Sequence, residues 1–276
     1  MEPPQSSEPS EPSEPSEPSE PSEPSELPEP QPQLTHTVAD GVATVVISNP
    51  AKRNAMTAGM WRALPELLGQ LAADEEVRAL VLTGEGPTFC AGADISSLRE
   101  PGEDPQSLAV RAEEALAAFP KPTLAAVRGY CVGGGCQLAA ACDLRFAEEG
   151  ALFGVTPAKL GIVYPSSSTR RLVSLVGPAA AKYLLFSAEL IDTERALRTG
   201  LVDELLPGGQ LGKRVAEFTR IIASRSQLTQ AAAKEFATGR TDRDTHWEEQ
   251  ARGSGDLTEG VAAFLERRVP RFTWTA

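Results

Sequence analysis

Three consecutive glycines, Gly133-Gly134-Gly135, stand between a short apolar stretch at 123–127 and a run of small apolar residues at 137–142. Glycine lets one backbone approach another backbone or a ligand closely, so a triple run marks a tightly packed turn. A second glycine turn, Phe89-Cys90-Ala91-Gly92-Ala93-Asp94-Ile95, follows another strand-like stretch at 77–83. The later turn opens a helix, and N–H groups at a helix start have no intrahelical partner. A pair of such groups can hold a developing oxyanion; the plainer reading is close helix–sheet packing. Other glycine signatures are excluded. The spacing GxGxxG is missing, as are GxxxxGK[ST] and the GxSxG elbow, and the two histidines, His36 and His246, offer no triad partner.

The pattern around these turns alternates strand and helix. Residues 41–47 are β-branched and apolar, and Asn49-Pro50 stops them. Thr57 is placed to cap a helix running to 73. Strand-like runs at 77–83, 123–127, 143–147 and 152–154 are interleaved with helical ones at 108–118 and 137–142. A polar stretch at 96–107 reads as a loop. Later the helical patterns dominate, at 178–186, 192–199, 211–224, 226–238 and 245–268. This order predicts an α/β core at 34–205 followed by a helical region at 206–276.

Composition matters mainly for what precedes that core. Residues 8–25 are six Glu-Pro-Ser triplets, and residues 1–33 hold 11 of the 23 prolines and no Lys or Arg. Proline denies the backbone its donor, repeated Glu repels itself, and apolar residues are lacking, so 1–33 is expected to be a disordered arm. It lacks the basic and apolar regions of a signal peptide. The formal charge of −12 resides mostly there; residues 34–276 carry 29 acidic and 26 basic residues. That near-neutral body has no basic stripe, which argues against a nucleic-acid partner, and no apolar run long enough for a membrane span. Cys90, Cys131, Cys136 and Cys142 form no CxxC pair and, with two histidines, no credible metal set. Small buried thiols and a cytoplasmic location are expected.

Six segments in order carry a resemblance. They are Asn49-Pro50-Ala51-Lys52-Arg53-Asn54-Ala55-Met56, the turn at 89–95, the stretch 121–136, Cys142-Asp143-Leu144-Arg145-Phe146-Ala147, Thr169-Arg170-Arg171-Leu172, and the run 196–203. Together they resemble the crotonase superfamily, which includes enoyl-CoA hydratases and isomerases, over about residues 35–272. The resemblance implies a spiral of ββα turns with a helical C-terminal trimerisation region, and a homotrimer or dimer of trimers. It implies an acyl-CoA thioester substrate and no separate cofactor, CoA being part of the substrate. Ala93 and Gly134 would be the oxyanion-hole residues that stabilise an enolate-like intermediate. CoA would be bound at Lys52, Arg53, Ala55, Ala91, Asp94 and Ile95, with Arg267 and Arg268 of the tail as either phosphate contacts or a solvated helix end.

The chain departs from the family's hydratase pattern at two positions. The two carboxylates that activate water in a hydratase are replaced by Gln137 and Ala158. Neither can act as a base at neutral pH, and each such group is typically worth about 10²–10⁴-fold. The stretch 156–165 resembles that of methylmalonyl-CoA decarboxylase, with a tyrosine at Tyr164. Decarboxylation needs an oxyanion hole and a group to orient the departing carboxylate, roles suited to the neutral Gln137 and Tyr164. Ser166-Ser167-Ser168 reads as a cap of the next helix or as substrate contacts. The expectation is therefore an acyl-CoA enzyme without the glutamate pair, decarboxylating a short 2-carboxyacyl-CoA; the alternatives are an atypical hydratase or isomerase, or a non-catalytic acyl-CoA-binding protein.

Overall fold

The computed structural model describes residues 31–96 and 104–275. Most of the expected arm (residues 1–30) and the middle of the expected loop (97–103) lie outside the described residues. Strand β1 (Gln33–Ala39) begins on the last residue assigned to the arm and pairs antiparallel with β2 (Val42–Ser48). From β2 onward the sheet is parallel: β3 (Ala79–Gly84), β4 (Thr123–Val127), β6 (Leu144–Glu148) and β8 (Glu204–Leu206), in the order β1-β2-β3-β4-β6-β8. Strands β3 and β4 are almost wholly buried, as befits parallel strands covered on both faces.

A second, narrower layer runs beside the sheet. Its strands β5 (Tyr130–Val132) and β7 (Leu152–Gly154) pair in parallel, and single bridges extend it from Met56 to Ala93, from Cys90 to Cys131 and from Phe153 to Ile191. Each circuit of the chain thus lays one strand in the large sheet and one short segment in the small layer. A helix then follows: α1 (Ala58–Ala73), α2 (Pro105–Ala117), α3 (Gly134–Ala141) or α4 (Ser166–Ser187). This is the ββα spiral that the resemblance implied. The main core fills the space between these layers and includes Trp61, Leu64, Leu80, Leu82, Phe89 and Phe153. A smaller cluster around Phe146, Leu211 and Val215 seats α6 (Leu211–Ala223) on the outer face of the sheet.

Local chemistry sets most of the helix boundaries. Thr57 accepts from the Met60 N–H at 3.3 Å and caps α1; Asp192 caps α5 (Thr193–Thr199), and Ser226 caps α7 (Gln227–Ala237). Three expectations are corrected. The helix expected at 178–186 is the second half of α4, which starts at Ser166 and is broken at Gly177 (φ +75°) just before Pro178. The serines 166–168 form its first turn without making a side-chain cap. The single helix expected at 245–268 is two, α8 (Asp244–Ser254) and α9 (Asp256–Glu266), separated by Gly255 at φ +75°.

Two buried cations brace the core. Arg145 donates to the carbonyls of Leu201 and Cys142 and to Asp203, and Lys121 donates to the carbonyls of Ala72 and Asp74. All four cysteines are free and buried, and burial pushes the Cys90 and Cys142 thiols up to about 12. Trp247 and Trp274 pack on each other with ring centroids 6.0 Å apart. Among the described residues no helix is long and apolar enough to cross a membrane, and no cluster of His, Cys, Asp and Glu could hold a metal ion.

Candidate active site

The two glycine turns meet. Ala93 forms a parallel bridge with Met56, in which the Met56 N–H donates to Gly92 O and the Asp94 N–H donates to Met56 O, both at 2.8 Å. Those bonds use the groups flanking Ala93 and turn its own N–H to the other side. Gly134 is the first residue of α3, so its N–H has no partner one turn back. A methyl carbon built on Gly134 would lie 3.5 Å from the Ala93 nitrogen, so the two turns are in contact at these residues. Neither N–H meets an acceptor among the described residues, whereas the neighbouring Gly133 N–H is spent on Gly154 O at 2.8 Å. The α3 N-terminus adds its positive dipole end to this spot.

Glycine is required here by geometry. Gly133 holds φ +55° and ψ −119°, a region closed to side chains. A methyl on Gly135 would come within 2.3 Å of the Cys90 carbonyl oxygen, and one on Gly134 within 2.9 Å of the Trp61 ring. The close packing and the free N–H pair are thus two results of one arrangement.

The residues expected to bind CoA gather on the rim of this turn. The Ala91 N–H donates to Arg53 O at 3.0 Å, which ties the two segments together. Arg53, in the left-handed region at φ +52°, lays its guanidinium 4.9 Å from the Tyr130 ring centre. Lys52 Nζ donates to Asp94 at 2.8 Å and to Ser96 at 3.0 Å. Burial works against the Asp94 charge, but the bonds from Lys52 and Ser96 outweigh it and hold the carboxyl below its ordinary value. Ala55 is buried, and Ile95 is exposed. The motif around them is bracketed by buried asparagines: Asn49 Nδ2 donates to Ala55 O, and Asn54 Nδ2 to Thr88 O. In the tail, Arg267 sits in the left-handed region at the end of α9, and Arg268 pairs with Glu259 and Glu266 of its own chain.

Behind the oxyanion pair, Gln137 and Tyr164 come together with Glu113, which the sequence reading did not single out, and with Ser168 and Arg171. Gln137 Nε2 donates to Glu113 at 2.6 Å and to Ser168 Oγ at 3.2 Å. Ser168 and Arg171 also donate to the Glu113 carboxylate. Three helices, α2, α3 and α4, therefore converge on one buried anion. Tyr164 is half-buried against the core; burial, then the proximity of Cys136 and Glu113, pushes its hydroxyl up, so it stays a neutral donor. The amide nitrogen of Gln137 thus faces the Glu113 carboxylate. Glu113 left one signal in the sequence: it is a charge on the face of α2 that also carries Leu108, Ala109, Ala112 and Leu116.

Comparison with known proteins identifies the family and the fold. The family model for enoyl-CoA hydratase/isomerase matches residues 37–275. The short-chain-enoyl-CoA hydratase of Clostridium acetobutylicum is 34% identical over 240 residues, covering 82% of this chain and 92% of its own. The crotonyl-CoA hydratase of Syntrophomonas wolfei is 34% identical over 244 residues, covering 84% and 94%. The crystal structure of an enoyl-CoA hydratase from Bacillus anthracis superposes with a TM-score of 0.80 at 30% identity, covering 87% and 98%.

Proposed function

Because this chain belongs to the enoyl-CoA hydratase/isomerase family and has its crotonase-type fold, we propose that it binds an acyl-CoA thioester whose carbonyl oxygen sits between the N–H groups of Ala93 and Gly134. The observation that carries this reading is the pair itself: two backbone donors without an acceptor, in turns that touch, one at the start of a helix. Charge that develops on the thioester oxygen as an enolate forms would be met by donors already in place, worth about 3–4 kcal/mol for each in the transition state. The rim at Lys52, Arg53, Ala55, Ala91, Asp94 and Ile95 would carry the CoA portion, with Arg53 as the freer cation, since Lys52 is shared with Asp94.

Gln137 bears on the choice of reaction. With its amide nitrogen turned to Glu113, it leaves its carbonyl oxygen, an acceptor, on the other side. An acceptor suits the atypical hydration or isomerisation alternative, in which a water or hydroxyl donates to it. The decarboxylation reading is left with Tyr164 as its donor. Without a carboxylate at 137 or 158, hydration would run about 10²-fold or more below that of an enzyme carrying both.

The chain is also proposed to assemble with copies of itself, as a homotrimer or dimer of trimers. Helix α9 leaves Leu257, Phe264 and Leu265 more than 70% exposed, an apolar face of the kind that interfaces cover. Light scattering after size exclusion reads the assembly directly.

The deciding experiment incubates the protein with crotonyl-CoA, a 3-enoyl-CoA and methylmalonyl-CoA and follows products by mass spectrometry, with Gly134→Pro as the control that lacks the donor. Turnover abolished by that change supports the oxyanion pair. Full turnover by a folded Gly134→Pro protein refutes it, and tight binding of all three esters without turnover would mean that the chain binds acyl-CoA and does not transform it.

A further inference from the structure

Glu113 is 1% exposed, yet three side chains from two other helices donate to it: Gln137 from α3 at 2.6 Å, and Ser168 and Arg171 from α4. A packing device would need only the Arg171 ion pair. The added partners do something more specific. An ionised carboxylate only accepts hydrogen bonds, so the nitrogen of the Gln137 amide, and not its oxygen, must face Glu113. Ser168 Oγ lies 3.2 Å from the same nitrogen and gives its own hydrogen to Glu113. The amide therefore cannot rotate without opposing its oxygen to the carboxylate.

That leaves Gln137 Oε1. No donor among the described residues reaches it, and it is not one of the sealed, unpartnered atoms of the interior. Gln137 lies one helical turn after Gly134, on the same side of α3, and helical side chains lean toward the N-terminus. The exposed oxygen thus belongs to the space beside the oxyanion pair.

We propose that Glu113 is a positioning residue: it locks Gln137 with its oxygen toward the acyl pocket, and so selects thioesters bearing a hydroxyl or a held water over those bearing a carboxylate. The proposal rests on the acyl-CoA reading above. A hydroxyl or water donates to Oε1. A carboxylate has no hydrogen to give, sets its lone pairs against those of Oε1, and sits one hydrogen bond away from a second anion.

The test measures the affinity of the full chain, by calorimetry, for butyryl-CoA, 3-hydroxybutyryl-CoA and methylmalonyl-CoA. The native protein should prefer the hydroxy ester to the carboxy ester by about tenfold or more, the worth of a hydrogen bond gained and a charge left unmatched. Glu113→Gln lets the amide at 137 turn, and should cut that preference to about threefold or less while butyryl-CoA affinity stays within about twofold. In a Gln137→Ala background the same change at 113 should no longer move the preference, because the residue acts through Gln137. An equal shift in that background would mean that bare charge is responsible and would overturn the proposal. So would an unchanged preference in folded Glu113→Gln, or no preference in the native protein. Should Glu113→Gln fail to fold, Ser168→Ala keeps the ion pair and removes the hydroxyl that lies against both the Gln137 nitrogen and Glu113, which loosens the amide; it must also shrink the preference, and an unchanged ratio overturns the proposal. Failure of butyryl-CoA to bind the native protein is a different result: it sinks the acyl-CoA reading itself.

Discussion

The amide nitrogen of Gln137 lies 2.6 Å from the carboxylate of Glu113, so the side chain at 137 is held by a buried anion. A glutamate at 137 would bring two carboxylates within hydrogen-bond distance. Gln137→Glu should therefore fold with one of the pair protonated. A carboxyl raised in the native state holds its proton there more firmly than in the unfolded chain, so stability falls as pH rises. Thermal unfolding of Gln137→Glu should show a melting temperature higher at pH 5 than at pH 8, relative to the parent protein. An identical pH profile for the two would mean that the carboxylates are screened from each other.

Trp61 closes the other side of the oxyanion pair. A methyl on Gly134 would meet its ring at 2.9 Å, so Gly134→Ala should lose about 1–3 kcal/mol of stability through overpacking. The indole N–H of Trp61 is buried without a partner, so Trp61→Phe removes an unsatisfied donor along with some ring volume. Adding Trp61→Phe to Gly134→Ala should return part of the lost stability in chemical denaturation. A double variant no more stable than Gly134→Ala alone would show that the ring is not the obstacle.

Lys121 ties the end of α1 to the start of β4. The residue is 2% exposed, its amine donates to Ala72 O at 3.1 Å and Asp74 O at 2.6 Å, and burial, opposed by Asp74 and Glu75, pulls its ionisation below that of an ordinary lysine. Lys121→Met fills the volume but leaves two helix-end carbonyls without this donor. The expected cost is about 2–4 kcal/mol in urea unfolding, with little change in ligand affinity. A cost within experimental error would mean that solvent replaces the amine.

In the tail, Arg268 donates to Glu259 at 2.6 and 2.9 Å, and the Arg271 N–H adds a third bond. These bonds lower the Glu259 carboxyl from 4.5 to about 2. The sign follows: a carboxyl depressed in the folded state contributes stability above about 4.5, and that contribution is lost as pH falls through about 2. Hydrogen exchange at residues 259–271 should accelerate over that window, and Glu259→Gln should remove the pH dependence. Arg268→Ala should loosen the tail while changing CoA-ester affinity by less than about threefold; a larger loss of affinity would return Arg268 to phosphate binding.

Burial also bears on the thiols. With Cys90 and Cys142 pushed up to about 12, neither is a thiolate at pH 8, and a disulfide reagent should leave both unmodified until denaturant is added. Rapid labelling of the native protein at Cys90 would mean that the packing behind the first turn opens readily.

Much of this architecture could be read from the chain. Residues 123–127 and 152–154 are strands as the apolar runs imply, and Thr57 caps a helix where its side chain predicts; Asp192 and Ser226, read as first helical residues, are the caps of theirs. Strands β1, β5 and β8 were not foreseen: β1 begins on the last residue assigned to the arm, and β5 and β8 are three residues long. The half of α4 before Gly177 was missed, and so was the break at Gly255, where the helical pattern resumes directly.

The sequence by itself determined where the backbone turns and which residues face inward, because these follow from glycine's access to positive φ, from caps and from the periods of strand and helix. Its resemblance to a family also raised the expectation that Gln137 and Ala158 replace two carboxylates. Only the tertiary structure decided what Gln137 can do. Its partners Glu113 and Ser168 lie 24 and 31 positions away in the chain, and Arg171 lies 58 from Glu113. No local rule links residues so far apart. Packing three helices together brings a buried carboxylate to the amide, and a carboxylate that can only accept hydrogen bonds then fixes which way that amide faces.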